Sequence, residues 1–145
     1  MLPLVVLVAA FVLFLFMGLV GVAWFHLWTH ALRAALACMM LLTASAHWGK
    51  RRRDLVAMVP SRIPAPGAMV TITGLLEIAG AIGLIYEPTH RAAGFALAVF
   101  FVAIFPANVR AATQRFTIGG RAVLGVVPRG ATQVLFIAVA LLCAM

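Results

Sequence analysis

The chain has 145 residues, of which 66% are hydrophobic and only 10% are charged, and its formal net charge is +8. A soluble domain carries about 25% charged residues, and a water-soluble fold of this length could not bury so much apolar surface. The composition therefore excludes soluble classes and predicts an integral membrane protein. Because the basic residues lie between apolar segments, where they set topology and contact anionic lipid, we expect the lipid bilayer as a partner and no nucleic-acid binding.

The first apolar segment runs from Met1 to about Leu27 without a charged side chain. It lacks a basic start and is longer than the roughly 7–15 apolar residues of a signal peptide. We therefore predict a retained N-terminal transmembrane helix over residues 1–28, with a signal sequence, cleaved or uncleaved, as the alternative. A second, short helix is predicted from Ala34 to Trp48, with Arg33 and Lys50 snorkelling to the two interfaces.

Four further elements follow. Apolar residues after the basic run predict a short surface-lying helix near Leu55–Val59. The segment Pro64–Tyr86 holds about 20 mostly apolar residues, enough to cross a hydrocarbon core of about 30 Å. Two more spans are predicted over Ala92–Ala112 and from Pro128, as first helical residue, to Met145. The predicted fold is thus an all-α membrane protein with five spans.

The distribution of basic residues orients these spans. Nine of the eleven basic residues fall on one side, in two connections. They are Lys50, Arg51, Arg52, Arg53 and Arg62 in one, and Arg110, Arg115, Arg121 and Arg129 in the other. Arg33 and Arg91 fall on the opposite side. The positive-inside rule then predicts a cytoplasmic N-terminus and an external C-terminus.

Glu77 lies near the middle of the predicted third span. A carboxylate at that depth costs ~2.5 kcal/mol or more, so it requires a partner, a proton or a wet cavity. Other spans carry polar groups at similar depth, and Thr73 shares a helix face with Glu77. The candidate ligand-binding pocket comprises Glu77, His47, Asn108, Gln133 and Thr73.

Each companion residue also has a structural interpretation. The threonine can bond to its own helix backbone, and His47 can be a plain interfacial residue. Asn108 can satisfy backbone freed by Pro106, and Gln133 can join two helices.

The two cysteines, Cys38 and Cys143, both fall within apolar runs. Neither a Cys-x-x-Cys motif nor zinc-ligand spacing is present in the sequence, so no metal site is predicted. Both cysteines fall toward the external side, and a disulfide between them is a minor alternative.

Three stretches resemble the DoxX-like family of small bacterial membrane proteins. They are TASAHW, the segment LVAMVPSRIPAPGAMVTITGLLEIAGAIGLIY with its Thr73-Gly74-x-x-Glu77 motif, and Phe105-Pro-Ala-Asn108. The resemblance covers about residues 33–145 and implies a four-helix transmembrane core, to which residues 1–28 add one span. It further implies a bacterial inner-membrane location and an association of some members with membrane redox complexes.

Three readings of the function stay open at this point. The first is an accessory subunit of a membrane redox system, in which the Glu77 pocket holds a quinone-like molecule and Glu77 exchanges a proton. The second is a non-catalytic assembly subunit, working with a protein partner or as a homo-oligomer. The third is transport of a small hydrophobic compound, which five spans and no pair of broken helices make less favourable. No reaction is assigned, and a quinone is the one cofactor considered.

Overall fold

The computed structural model describes residues 2–113, 117–118, 120–122 and 125–145. In these ranges the chain forms six α-helices and one short antiparallel ladder of two-residue strands. The helices are α1 Leu2–Leu19, α2 Trp28–Ser45, α3 Arg52–Met58, α4 Pro66–Ile85, α5 His90–Thr113 and α6 Val126–Cys143. The strands are β1 Thr117–Ile118 and β2 Arg121–Ala122. Arg115, which contributes to the predicted orientation, lies outside the described residues.

Four of the described helices, α1, α4, α5 and α6, are long and apolar enough to cross a membrane. This confirms the prediction of several membrane-spanning helices. The helix α2 is of similar length but carries His30 and Arg33 in its first two turns, and it is not among these four. Much of its length is instead buried against other helices.

The helix packing is a ring of four with one helix outside it. Helix α2 contacts α4 and α6, α5 contacts the same two helices, and α1 packs on α2. Fully buried side chains from three helices fill the centre, and they are Leu36, Met39, Met40, Leu84 and Cys143. Gly94 permits the close approach of α5 and α6, because a Cβ atom there would lie 2.7 Å from the Ala140 carbonyl oxygen.

The N-terminal apolar run is not one helix, as the sequence predicted. Helix α1 ends at Leu19, Gly21 adopts a positive φ of 101°, and a 3-10 turn over Ala23–His26 leads into α2. Glycine adopts this left-handed backbone without the steric cost that a Cβ atom would bring. The chain therefore reverses direction before Trp28, and α2 begins earlier than predicted.

The earlier start of α2 changes the position of Arg33. This residue lies in the second turn of the helix and is only 3% exposed. The prediction that Arg33 snorkels to the interface is therefore wrong. The physical reason is a carboxylate from another part of the chain, Glu87, which reaches the guanidinium and makes its burial tolerable.

Other helix ends differ from the prediction by a few residues. Helix α2 ends at Ser45, so His47 and Trp48 lie in the turn that follows. Pro66 is the first residue of α4, two residues after the predicted start of this span at Pro64, and proline is favourable at a first helical position. Pro128 is the third residue of α6 and not the first.

Candidate functional site

The first candidate site lies between α4 and the turn after α2. Glu77 is 6% exposed and His47 is 8% exposed, and their Oε2 and Nδ1 atoms are 3.8 Å apart. The His47 Nδ1 atom is also 3.2 Å from the Thr43 carbonyl oxygen, which is an acceptor and therefore requires a proton on that nitrogen. The contact with Glu77 is longer than a hydrogen bond.

One oxygen of this carboxylate has no hydrogen-bond partner. Glu77 Oε2 is buried and makes no hydrogen bond within the described part of the chain. The Thr43 hydroxyl interacts with the carboxylate, but it donates its proton to the Met40 carbonyl oxygen at 2.9 Å. A buried acceptor without a donor is rare and costs about 1–3 kcal/mol, more if charged, so this oxygen marks the site.

Gly74 makes room for the histidine. It lies one turn before Glu77 on α4, and a Cβ atom there would come within 2.8 Å of the His47 Cβ and Cγ atoms. The same Cβ atom would lie 2.8 Å from Cη2 of Trp48. The absence of a side chain at residue 74 therefore allows the turn after α2 to pack against α4 beside the carboxylate.

Arg52 holds the same turn from the other side. Its Nη1 atom donates to the His47 carbonyl oxygen at 2.8 Å. Its Nη2 atom donates to the Gly67 carbonyl oxygen at 2.9 Å and to the Thr71 hydroxyl at 3.0 Å. Sequence reasoning assigned Arg52 only to topology, and no signal within its run of basic residues distinguishes it.

Thr73 plays no visible part in this site. Its hydroxyl donates to the carbonyl oxygens of Met69 and Val70, at 3.1 and 3.0 Å, within its own helix. The alternative interpretation, a threonine bonded to its own backbone, describes the observed geometry.

A second group of candidate residues joins α5 to α6. Gln133 is 6% exposed, and its Nε2 atom donates to the Phe101 carbonyl oxygen. Asn108 donates from Nδ2 to the Gln133 Oε1 atom at 3.1 Å. Arg129 donates from Nη2 to the Asn108 Oδ1 atom at 2.8 Å. These bonds lie beside Pro106, which interrupts the backbone hydrogen bonding of α5.

The predicted pocket residues thus form two separate groups. His47 and Glu77 meet between α2 and α4, and Asn108 and Gln133 meet between α5 and α6. Within the described residues, no hydrogen bond or ion pair connects one group to the other. Counting hydrogen bonds among the described residues, only the first group contains an unpaired buried acceptor.

A third cluster lies at the opposite end of the bundle. Arg33 forms two hydrogen bonds to Glu87, Nη1 to Oε2 at 3.1 Å and Nη2 to Oε1 at 2.9 Å. The His30 Nε2 atom is 3.3 Å from Oε1, and the His90 Nδ1 atom is 3.4 Å from Oε2. The hydrogen bonds from Arg33 hold the pKa of Glu87 below its usual range.

Trp24 covers the inner side of this cluster. Its indole ring stacks on the His30 ring at 4.6 Å and lies 5.8 Å from the Arg33 guanidinium carbon, within cation–π range. Sequence reasoning missed the cluster. The sequence feature that could have predicted this pair is that Arg33 and Glu87 carry opposite charges at the same predicted end of neighbouring spans.

The described residues contain no group of three or more His, Cys, Asp or Glu side chains suited to a metal ion. Cys38 and Cys143 are both free thiols. Each of the three clusters is therefore a hydrogen-bonding or ion-pairing site, built from side chains and backbone carbonyl groups.

Comparison with known proteins adds a family but no activity. The family whose description reads "Domain of unknown function (DUF8561)" matches residues 36–144, which is more than half of the chain and includes α4, α5 and α6. Neither the curated proteins nor the solved structures contain a match to this sequence. The chain belongs to the family of the domain of unknown function DUF8561.

Proposed function

We propose that this chain is a membrane-embedded accessory subunit of a redox system, and that His47 and Glu77 hold a small quinone-like molecule. The observation that supports the proposal is the buried Glu77 Oε2 atom, which has no hydrogen-bond partner among the described residues. An ionisable residue within a membrane span is a functional candidate by default, because its burial is costly.

A quinone-type ligand matches the hydrogen-bonding needs of this site. The hydroxyl of a reduced quinone can donate to Glu77 Oε2, and a protonated Glu77 can donate to the carbonyl of an oxidised quinone. Glu77 would then supply a proton when the redox system reduces the quinone and accept one when that system oxidises the quinol.

The proposed setting is the bacterial cytoplasmic membrane with five spans. In this arrangement α2 also crosses the membrane, in addition to α1, α4, α5 and α6. The N-terminus is then cytoplasmic and the C-terminus is external. The ring of α2, α4, α5 and α6 with α1 outside it supports a four-helix core with one added helix. The same arrangement is the one implied by the resemblance to DoxX-like proteins, and we propose a distant relationship with that family.

A non-catalytic assembly role is the second candidate, and the Asn108–Gln133 group favours it. Its side-chain amides are bonded to each other, to Arg129 and to a backbone carbonyl. Such a group fixes the packing of two helices without requiring a ligand. In this role the chain would act with a protein partner or as a homo-oligomer.

Native mass spectrometry of the protein extracted from its own membranes tests the two functions. We expect a bound quinone-sized molecule on the wild-type protein and its loss from Glu77→Gln at unchanged membrane abundance. Thr73→Val is the matched control, because Thr73 bonds only to carbonyl groups of its own helix in the described structure and should retain the ligand.

Two results would contradict the redox proposal. One is wild-type protein that carries a stoichiometric protein partner and no small molecule, which favours the assembly role. The other is Glu77→Gln protein that is missing from the membrane, which shows that Glu77 serves packing.

A further inference from the structure

A second potential binding site lies at the end of the bundle opposite His47. A cleft of about 220 Å³ opens there between the first turns of α2, the turn after α4, the start of α5 and the end of α6. Its lining includes His30, Arg33, Glu87, His90, Arg91 and Cys143. Since a water molecule occupies about 30 Å³ of liquid, the cleft has room for a small solute or the head of a lipid.

The side chains that line the cleft carry two permanent positive charges and one negative charge. Arg33 and Arg91 are permanently cationic, whereas Glu87 is the one carboxylate side chain among the lining residues. Arg91 makes only a long contact, 3.4 Å from Nη2 to the Met145 carbonyl oxygen. His30 and His90 place two further ring nitrogens within 3.4 Å of the Glu87 oxygens.

Arg33 is held in place by the residues around it. Its side chain is 4% exposed and is covered by the Trp24 ring, so the guanidinium cannot turn toward water. Its Nε atom is buried and has no hydrogen-bond partner in the described part of the chain. Burying this cation is costly, and a planar fork of N–H donors is preorganised for two oxygens of a carboxylate or phosphate.

Glu87 is the partner that can leave. Its side chain is 52% exposed, and it lies in the turn between α4 and α5, so rotation toward water does not disturb the packed helices. Once Glu87 has moved, both Nη atoms of Arg33 become available to an incoming anion. Because Arg33 stays buried and charged, Glu87 should leave only when another anion takes its place on the guanidinium.

We propose that this cleft binds a small oxyanion on Arg33, and that Glu87 is an internal carboxylate occupying the ligand's position when the cleft is empty. The incoming group presents two oxygens to the Arg33 fork, while Arg91 supplies a second positive charge. The proposal uses residues distant from His47 and Glu77, and it stands or fails independently of the redox role.

Trp24 provides a direct readout of binding. In a background with the other two tryptophans replaced, Trp28→Phe and Trp48→Phe, the fluorescence of Trp24 reports changes beside Arg33. The full-length protein in phosphatidylcholine nanodiscs is titrated with sodium acetate and with inorganic phosphate, against sodium chloride at equal ionic strength. We expect saturable binding of acetate or phosphate and none of chloride.

Glu87→Gln tests whether the Glu87 carboxylate competes with the ligand for Arg33. It removes the competing charge but keeps an oxygen to accept a bond from Arg33, so acetate affinity should rise about tenfold or more. Asp54→Asn, which makes the same change of charge on α3, should leave the affinity as it is in the wild type. Equal affinities of Glu87→Gln and wild type would overturn the proposal.

Arg33→Lys is the second test and does not depend on how Glu87→Gln folds. It keeps the positive charge but replaces the planar guanidinium, with its paired N–H donors, by an ammonium group, so acetate affinity should fall about tenfold. A cooperative thermal unfolding transition should show that the variant is folded. Unchanged affinity in Arg33→Lys would also overturn the proposal.

The lipid source of the oxyanion is distinguished by changing the nanodisc. If the natural occupant is a lipid phosphate, phosphatidylglycerol in the disc should alter Trp24 fluorescence and block acetate binding in the wild type but not in Arg33→Lys. If it is a free solute, acetate binding should be equal in both discs. Absence of acetate, phosphate and lipid effects alike would refute the site.

Discussion

Glu77, within α4, and Glu87, in the turn that follows α4, both lie close to residues of α2, but the more buried of the two carboxylates has fewer partners. Glu87 is half exposed, yet it has Arg33, His30 and His90 within 3.4 Å. Glu77 is buried, yet the nearest basic atom is 3.8 Å away and one of its oxygens is unpaired. A protein optimised only for packing would place its donors around the buried carboxylate. The comparison indicates that Glu87 serves a buried cation, whereas Glu77 is kept available.

The largest change in the free energy of unfolding should come from removing Glu87, the exposed member of its pair with Arg33. Glu87→Ala leaves the buried Arg33 without its counter-charge and should lower the free energy of unfolding by about 3 kcal/mol. Arg33→Leu leaves an exposed carboxylate, which water can solvate, and should cost less. Denaturant-induced unfolding in detergent micelles measures both. A larger loss in Arg33→Leu would show that Arg33 is not the member that depends on the pair.

The next largest decrease in the free energy of unfolding should come from adding a side chain at Gly74, against His47. Gly74→Ala places a Cβ atom within 2.8 Å of His47 and Trp48, and such overpacking should cost about 1–3 kcal/mol. Gly130→Ala on α6 is the control, because a Cβ atom there meets nothing within 4 Å, and it should be neutral or slightly stabilising. Equal unfolding free energies for the two variants would contradict the role given to Gly74.

A smaller decrease in the free energy of unfolding should come from removing the side-chain amide hydrogen bonds between α5 and α6. Gln133→Leu removes the bonds to Asn108 and to the Phe101 carbonyl oxygen, and should cost about 0.6–1.7 kcal/mol. Its neighbour Thr132 donates to the carbonyl oxygens of Pro128 and Arg129 within α6, so Thr132→Val should cost less. The same unfolding measurement compares them, and a costlier Thr132→Val would argue against interhelical bonding by Gln133.

The smallest effect should be a dependence of the free energy of unfolding on pH that arises from Glu87. The pKa of Glu87 is lower in the folded protein than in the unfolded chain because of Arg33. Its stabilising contribution is therefore complete above the unfolded value of about 4.3 and is lost as the pH falls through the lower, folded value. A protonated Glu87 still offers an oxygen that accepts a bond from Arg33, so the loss should be smaller than in Glu87→Ala. Glu87→Gln should lack this step in unfolding measurements between pH 5 and about 2, and a step of equal size in the variant would assign it elsewhere.

The helices themselves were largely predictable, because apolar length and proline position are local properties. Helix α4 starts at Pro66, two residues after the predicted start of its span, and Pro106 lies inside α5 as expected from the predicted span. The grouping of polar residues was not predictable. In a membrane, lipid-facing and protein-facing positions are both apolar, so hydrophobic periodicity does not show which face of a helix meets which neighbour. Nothing local separates Asn108 and Gln133 from Glu77.

The error at Arg33 has a different cause. A basic residue near a helix end usually extends toward water, and its burial depends on a carboxylate contributed by a distant turn. The candidate pair His47 and Glu77, by contrast, was identifiable because an intramembrane carboxylate draws attention to any polar group at the same depth.

The bond from Gln133 to the Phe101 carbonyl oxygen carries a consequence for how this sequence can evolve. Pro106 has no N–H for the Val102 carbonyl oxygen, which weakens the hydrogen bonding of α5 in the turn where Gln133 on α6 donates to the neighbouring Phe101 carbonyl oxygen. The proline and the glutamine should therefore be mutually dependent, so that each is less costly to lose once the other is gone. We expect relatives that lack the proline to tolerate apolar residues in place of Gln133, and relatives that keep it to retain a donor.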